Sequence, residues 1–141
     1  RQLIAYGLKS EKPFWCKTGF SPKKPDDVFN VPAKALEAGE VGFSYIMMTQ
    51  TDGQSSSGDP GRPVVVAPSF KAQTDWTFDP EPYGEKAIVL RLDNSATAMQ
   101  IRTDNKYVTV GGGRYLQSVG DSTPWGTDAN PILRAPQPRG Q

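Results

Sequence analysis

Carboxylates are the main acid–base groups that this sequence offers for catalysis, because it contains no histidine and a single cysteine. Without histidine there is no Ser-His-Asp or Cys-His catalysis, and the commonest side chain for proton transfer near neutral pH is missing. Asp79 and Glu81 alternate around Pro80, and a small hydrolase that uses one of them is the catalytic hypothesis left. A glycosidase needs two carboxylates placed across a cleft. Nothing in the spacing indicates such a pair, so we expect that the protein is not an enzyme.

The same composition argues against metal and redox chemistry. Cys16 is the one cysteine, and alone it forms neither an intramolecular disulfide nor a cysteine-rich zinc site. We expect it to be a packed thiol. Asp52 and Asp59 bracket a polar loop, but their spacing matches no EF-hand loop. The sequence therefore predicts no metal ion and no cofactor.

Aromatic side chains in predicted loops are the candidates for ligand binding. Such rings can stack on a sugar face or lie at a lipid headgroup interface, because one end is apolar and the other polar. Tyr83 and Trp125 are flanked by proline and glycine, which indicates exposed loops. The alternative for each ring is that it caps the core at the end of a sheet. The candidate ligand-binding residues are Trp76, Tyr83, Tyr115 and Trp125.

The charge balance argues against a nucleic-acid partner. The formal net charge is +1, from 16 basic and 15 acidic residues. A nucleic-acid binder usually concentrates basic residues on one face, whereas here Lys23-Lys24 are followed by Asp26-Asp27. No stretch approaches the roughly 20 apolar residues that a transmembrane helix needs. We therefore expect neither a nucleic-acid partner nor a transmembrane segment.

Glycine and proline mark where the chain turns. The sequence has 14 glycines and 13 prolines in 141 residues, about a fifth of the chain against roughly 12% in average proteins. Both residues break helices, and the segments between them are short and alternate in hydrophobicity, as strands do. The early strand candidates are 2–8, 14–20, 41–48, 64–67 and, with looser alternation, 69–78. Residues 32–38 could form one helical turn or an extended connection.

The last third of the sequence shows the clearest pattern, an antiparallel meander. The predicted strands are 86–92, 98–103, 106–110 and 114–119. In the first of them, Ile88, Leu90 and Leu92 share one face. The glycines at 111–113 lack the spacing of a phosphate loop and are not followed by a helix signal. They predict a hairpin or a bulge instead.

One domain of about nine short strands accounts for these observations. The length fits a single domain, and a hydrophobic content of 36% is enough for a modest core. We expect an all-β fold, a compact antiparallel β-sandwich, with a diverged β-trefoil or a small barrel as alternatives. The domain is predicted to cover residues 1–123. Residues 124–141 are rich in proline and glycine and predict an extended C-terminal strap.

The first fifty residues resemble the opening of a known group of sandwiches. The segment contains RQLIAYG at 1–7, an aromatic Trp15 and VPAKALEAG at 31–39. It is similar to the opening of actinoporin-like and related fungal lectin or cytolysin sandwiches. Those begin with an Ile-Ala-x-Gly-type strand and a Pro-to-Gly approach to the next strand. The resemblance implies a β-sandwich that recognises membrane lipid or carbohydrate.

A second resemblance covers residues 99–125. It is carried by MQIRTDNKYVTV at 99–110, GGGRYLQ at 111–117 and Pro124-Trp125. This stretch looks like one repeat of the fascin-like or lectin-like β-trefoil group. The resemblance implies a trefoil, which needs three such repeats, and one is visible in this sequence.

These observations favour a binding protein over an enzyme. Our first hypothesis is a non-catalytic module that recognises carbohydrate or membrane-surface ligands through loop aromatics. The second is a structural assembly subunit, such as a virion, tail or filament component, in which identical subunits contact each other through the strap as a homo-oligomer. The expected partners are therefore a glycan, a lipid headgroup or identical subunits. A tail packed on its own domain favours the module, and a tail that crosses to a neighbour favours assembly.

Overall fold

Seven short strands and one 3-10 helix make up the regular structure of the part of the chain that the structure describes. The computed structural model describes residues 7–16, 23–37, 40–68 and 76–134. The helix is Lys12–Phe14, and the strands are β1 (Ser44–Met47), β2 (Pro63–Ala67), β3 (Lys86–Arg91), β4 (Ala96–Gln100), β5 (Thr109–Gly111), β6 (Arg114–Tyr115) and β7 (Ile132–Arg134). Within those residues, no helix is long and apolar enough to span a membrane.

The strands form two antiparallel sheets. The larger has the order β4-β3-β2-β1-β7, and β5 and β6 form a separate two-stranded ladder. Because β4 and β7 are edges of an open sheet, the strands described here close no barrel. The all-β expectation is confirmed. The described residues hold seven strands, and the candidates at 2–8, 14–20 and 69–78 lie largely outside them.

The core packs against one face of the five-stranded sheet. Phe78 donates its backbone N–H to Lys106 O at 2.9 Å, and Leu116 donates to Val108 O at 2.9 Å. These bonds join the segments around Phe78 and Leu116 to residues 106–108. The buried cluster consists of Ile46, Val66, Trp76, Phe78, Ala87, Val89, Ile101, Val108, Leu116, Trp125 and Leu133.

The meander is present, and the buried face of β3 is formed by Ala87 and Val89. Ala87 pairs with Met99 across the β3–β4 hairpin, and paired residues lie on the same side of a sheet. Because Met99 packs against the core, Ala87 and Val89 are the buried residues of β3 and Ile88 is 39% exposed. Ile88 and Leu90 share a face, as the alternation predicts, and that face lies opposite the core.

The triple glycine forms the predicted hairpin and bulge. Gly111, Gly112 and Gly113 all have positive φ, at 91°, 59° and 74°. The β5–β6 ladder shifts register between Thr109 and Gly111. Left-handed backbone over three successive residues favours glycine, because a Cβ is disfavoured there.

The described part of the C-terminal segment packs on the domain itself. Trp125 lies in the core cluster, and β7 extends the sheet by pairing Leu133 with Ile46. Residues 124–134, predicted as the start of an extended strap, are held because Trp125 and Leu133 bury apolar surface. Residues 135–141 lie outside the described residues.

Candidate functional site

The four aromatic candidates occupy different environments. Trp76 is 7% exposed, Trp125 is 3% exposed, and both belong to the core cluster. Tyr83 is 41% exposed, and Tyr115 is half-buried. Tyr115 and Trp125 line the same cleft, between the large sheet and the β5–β6 hairpin, whereas Trp76 and Tyr83 do not line it.

Tyr83 is placed beside Cys16. The Cys16 thiol donates a hydrogen bond to Gly42 O at 2.8 Å. Burial raises the pKa of Cys16 above its ordinary value of 9.0, and a hydrogen bond with the Tyr83 hydroxyl partly opposes that rise. Burial and the neighbouring Cys16 also raise the pKa of Tyr83. This environment keeps Cys16 as the thiol, which agrees with the packed cysteine predicted from sequence.

A cleft of about 210 Å³ lies between the end of the large sheet and the β5–β6 hairpin. We call it the arginine cleft, because two arginines are its charged residues. Its lining comes from β2, β3, β4, the hairpin and the loop before Trp125. The lining residues are Gly61, Pro63, Arg91, Met99, Val110, Arg114, Tyr115, Leu116, Ser118, Ser122, Thr123, Pro124 and Trp125.

The two arginines are held in place by neutral partners. Arg91 Nη1 donates to Thr97 Oγ1 at 2.6 Å, and its Nη2 contacts Met99 Sδ at 3.2 Å. Arg114 Nη1 donates to the carbonyl oxygen and the hydroxyl of Ser122 at 2.8 and 2.7 Å. Among the described residues, neither guanidinium forms an ion pair. A guanidinium has five N–H donors, so both arginines retain donors for a further acceptor.

Aromatic rings and apolar groups form the rest of the wall. Tyr115 packs edge-to-face on Tyr107, with ring centroids 5.2 Å apart, and its hydroxyl accepts a hydrogen bond from Asn105 Nδ2 at 3.0 Å. Trp125 Nε1 donates to Leu116 O at 2.9 Å. Both rings are therefore oriented by hydrogen bonds, and the cleft combines rigid aromatic surface with positive charge.

None of the described Asp and Glu residues lines the arginine cleft, although the whole chain is almost neutral. The site therefore favours an anionic group, which two guanidiniums can bind with paired N–H donors. Sequence reasoning missed Arg91 and Arg114. Their positions at a strand end and after a glycine turn were visible, but their proximity depends on how the hairpin folds back on the sheet.

The carboxylates considered for catalysis or for calcium binding stabilise local turns. Asp79 Oδ1 accepts a hydrogen bond from Glu81 N at 3.0 Å. Asp59 Oδ1 accepts one from Gly61 N at 2.8 Å, and Asp52 Oδ2 accepts one from Thr49 Oγ1 at 2.7 Å. Short polar side chains commonly bond the backbone two residues ahead in turns. None of these carboxylates lines the arginine cleft.

A charged pair beside the β4–β5 turn leads to a pH-dependent prediction. Arg102 Nε and Nη2 donate to Asp104 Oδ1 and Oδ2 at 2.8 and 2.6 Å. Mainly through this pairing, the pKa of Asp104 falls from its ordinary value of 3.8 to about 2. A lowered carboxyl pKa stabilises the fold above pH 3.8, and that contribution is lost as the pH falls towards 2. Replacing Arg102 with glutamine is expected to return the pKa of Asp104 towards 3.8, as measured by NMR titration of the carboxyl carbon.

The internal control for that titration is Asp93. Hydrogen bonds with Ser95 are the main cause of its lowered pKa, so the Arg102→Gln change is expected to leave the Asp93 titration as it was. A wild-type Asp104 that titrates near 3.8 would contradict the bidentate pairing.

The arginine cleft is the feature of the described structure that indicates a function, because its side chains can bind an anionic ligand. No protein-family model matches this chain, and neither a curated protein nor a solved structure is found to be similar to it.

Proposed function

We propose that this protein is a non-catalytic binding module that recognises a carbohydrate or a membrane-surface headgroup through the arginine cleft. We further propose that the ligand carries an anionic group on a polar ring, such as a sugar acid or a phosphorylated headgroup. The observation that carries the proposal is a cleft whose described lining has two arginines and no carboxylate.

The geometry of the arginines supports an anionic ligand. Arg91 and Arg114 are each anchored through part of the guanidinium to neutral groups, and neither forms an ion pair with a described acid. A carboxylate, sulfate or phosphate is bound well by such a preorganised fork, because little side-chain entropy is lost on binding. A neutral sugar would leave both charges unpaired inside the cleft.

The aromatic wall supports a ring-shaped ligand. Tyr115 is half-buried and fixed by Tyr107 and Asn105, so part of its ring is available for a flat apolar face. Sugars present such a face, and amphipathic aromatic rings bind it at low entropic cost. The resemblance of residues 1–50 to actinoporin-like and fungal lectin sandwiches implies the same ligand classes.

The placement of the C-terminal segment also supports a module. Residues 124–134 pack on their own domain, with Trp125 in the core and β7 in the sheet. We propose that the domain is a compact sandwich, in which the β5–β6 hairpin and the segments around Phe78 and Trp125 form the layer that faces the five-stranded sheet. The arginine cleft then opens where the two layers meet.

The test compares acidic with neutral ligands. Binding is expected on a glycan array to glycans that carry a carboxylate or sulfate, or in a liposome pull-down to vesicles with a phosphorylated headgroup. Arg114→Gln is expected to weaken that binding by about 10–100-fold, because hydrogen bonds to charged groups contribute about 1.5–3 kcal/mol. Arg91→Gln is expected to act in the same direction, and binding should weaken as salt is added.

Arg102→Gln is the matched control, since it removes one positive charge from an exposed arginine outside the arginine cleft. It is expected to leave the affinity unchanged. Circular dichroism on each variant confirms that it is folded. Blank results from both the array and the liposomes, with correctly folded protein, would remove the proposal. Equal losses in the Arg102 and Arg114 variants would show attraction by net charge alone.

A second candidate function, a structural assembly subunit, is favoured by the outer face of the large sheet. The strand registers place nine apolar residues on the side opposite the core, and none of them is fully buried. They are Tyr45, Met47, Val65, Ala67, Ile88, Leu90, Ala96, Ala98 and Ile132. Exposed apolar patches often mark protein–protein contacts. Light scattering that shows a strict monomer at high concentration would remove this alternative.

A further inference from the structure

Three carboxylates from separate segments meet on the side of the domain that holds the 3-10 helix. Glu11 directly precedes that helix, Asp26 lies in the loop after Lys23-Lys24, and Glu40 precedes β1. Each offers one oxygen, and these oxygens all lie within 4.8 Å of one another. Glu11 and Glu40 are fully buried, and Asp26 is exposed. We call this group the carboxylate cluster.

The hydrogen bonds of the carboxylate cluster leave oxygen atoms unused. Glu11 Oε1 accepts a hydrogen bond from Leu36 N at 2.7 Å, whereas Glu11 Oε2 is buried and has no hydrogen-bond partner among the described residues. Glu40 Oε2 accepts a hydrogen bond from Glu37 N at 2.6 Å. Glu40 Oε1 is buried, and its one ion-pair partner among the described residues is Lys23 Nζ, at 3.3 Å.

Lys23 compensates only part of this negative charge. Its ammonium also pairs with Glu37, and its side chain is 44% exposed. Burial of a carboxylate is costly unless the charge is paired and its oxygens are hydrogen-bonded. Glu11 meets neither condition at Oε2, and Glu40 and Asp26 add charge of the same sign within 4.8 Å. A cation between the three oxygens would satisfy them together.

We propose that Glu11, Asp26 and Glu40 bind a calcium ion. Calcium takes oxygen ligands at about 2.3–2.6 Å, so two oxygens on opposite sides of one ion are about 4.6–5.2 Å apart. Oxygens within 4.8 Å of one another therefore fit around a single ion. All three donors are carboxylates, which hard cations prefer to nitrogen or sulfur. The exposed side at Asp26 leaves room for the water molecules that complete the coordination.

Calcium would add a link between three parts of the chain that already contact one another through Asp27, Lys23 and Gly42. Glu11 also fixes Leu36, whose φ is +53°, and Glu40 fixes Glu37. The ion would therefore connect residues 10–16, the loop at Asp26 and the start of β1. This site is independent of the arginine cleft, so its failure in a test would leave the proposed function standing.

The experiment is calorimetric titration of EDTA-treated protein with calcium chloride, together with thermal unfolding in calcium and in EDTA. We expect one site with a Kd on the order of 10⁻⁴–10⁻³ M, the range of weak protein calcium sites. Calcium at ten times the Kd raises the folded-to-unfolded ratio about 11-fold, so the melting temperature is expected to rise and EDTA to reverse the rise. Magnesium is expected to bind more weakly, because it demands near-octahedral geometry.

Two variants separate ligation from folding. Asp26→Asn is expected to weaken calcium binding at least 10-fold without changing the melting temperature in EDTA, since the side chain is exposed and keeps its bond from Val28 N. Glu11→Gln is expected to abolish the calcium response and to raise the melting temperature in EDTA, because it removes a buried charge. Asp128→Asn, an exposed acid outside the carboxylate cluster, is the control and is expected to bind like wild type.

The proposal is overturned if titration shows no heat and no calcium-dependent melting temperature at 5 mM, about five times the weaker limit of that range. It is equally overturned if Asp26→Asn binds as wild type does, or if Asp128→Asn loses as much affinity as Asp26→Asn. Each of those results would mean that Glu11 and Glu40 are buried carboxyl groups that bind no calcium ion.

Discussion

Replacement of Trp125 with alanine is expected to lower the free energy of unfolding by about 3–5 kcal/mol, the range for buried Trp→Ala changes. The indole is 3% exposed and lies in the core cluster with Phe78 and Leu133. Its removal takes away apolar contacts and leaves a cavity that the sheet cannot fill by collapse. Urea denaturation followed by circular dichroism, with linear extrapolation, measures the change.

Two further variants show which part of the indole matters. Trp125→Phe keeps most of the apolar volume but leaves the Leu116 carbonyl without the indole N–H, so a loss of about 1–3 kcal/mol is expected. Val119→Ala, at a side chain that is 48% exposed, is the control and is expected to change stability by less than about 0.5 kcal/mol. A loss below about 1 kcal/mol for Trp125→Ala would mean that the ring is not part of the core.

Trp125 also shows why loop composition is a poor guide to exposure. The flanking Pro124 and Gly126 indicate a turn, and a turn is present, since Gly126 has φ +72° and pairs with Gly120. Composition says nothing about which side of that turn the ring occupies. The hydrophobic effect decides it, because an indole buries more apolar area than almost any other side chain. Trp76 is also buried in the core, and its backbone adopts a left-handed conformation with φ +63°.

The strands were predictable where turns and alternation agree. The β3–β4 hairpin and the β5–β6 hairpin at the triple glycine follow directly from local sequence. The buried face of β3 was not predictable in this way, since alternating Ala87, Ile88 and Val89 leaves both faces apolar. The pairing of Ala87 with Met99 decides the face, and pairing is a property of two strands.

The arginine cleft and the carboxylate cluster could not be predicted from local sequence, for a related reason. Arg91 and Arg114 are separated by more than twenty residues, and Glu11, Asp26 and Glu40 by about fifteen residues at each step. No helix or strand period brings such positions together. Each set meets because loops return to the sheet, so its members become recognisable from burial and missing partners rather than from a motif.

Replacement of Gly42 with alanine is expected to lower the free energy of unfolding by about 1–3 kcal/mol, the range for overpacking of a tight site. An ideal Cβ there would lie 2.5 Å from Cys16 O and 2.8 Å from Cys16 N, and closer still to Cys16 Sγ. Backbone atoms cannot move aside as a flexible side chain can. The segment before β1 would have to separate from residues 14–16, with loss of the bond from Gly42 N to Phe14 O.

Gly53→Ala is the matched control for Gly42→Ala, because an ideal Cβ at Gly53 meets no atom within 4 Å. It is expected to change stability by less than about 1 kcal/mol, and in the stabilising direction where the backbone tolerates alanine. Thermal and urea unfolding of both variants give the comparison. Equal stabilities of the two variants would contradict the close approach at Gly42.

Thiol chemistry identifies the cause of the Gly42→Ala loss, because Cys16 lies on the segment that would be displaced. Its Sγ donates to Gly42 O, so opening of this contact is expected to make the thiol react faster with iodoacetamide than in wild type. Cys16→Ala in the Gly42→Ala background removes the clash with Sγ but not those with the backbone O and N, and is expected to recover only part of the stability. Full recovery would place the strain at the sulfur alone. A stability loss with unchanged thiol reactivity would show that residues 14–16 stay in place and that the strain is relieved elsewhere.

Since Glu11 lies just before these residues, a displaced segment would also separate Glu11 from Glu40, and the calcium response would weaken together with the increase in thiol reactivity.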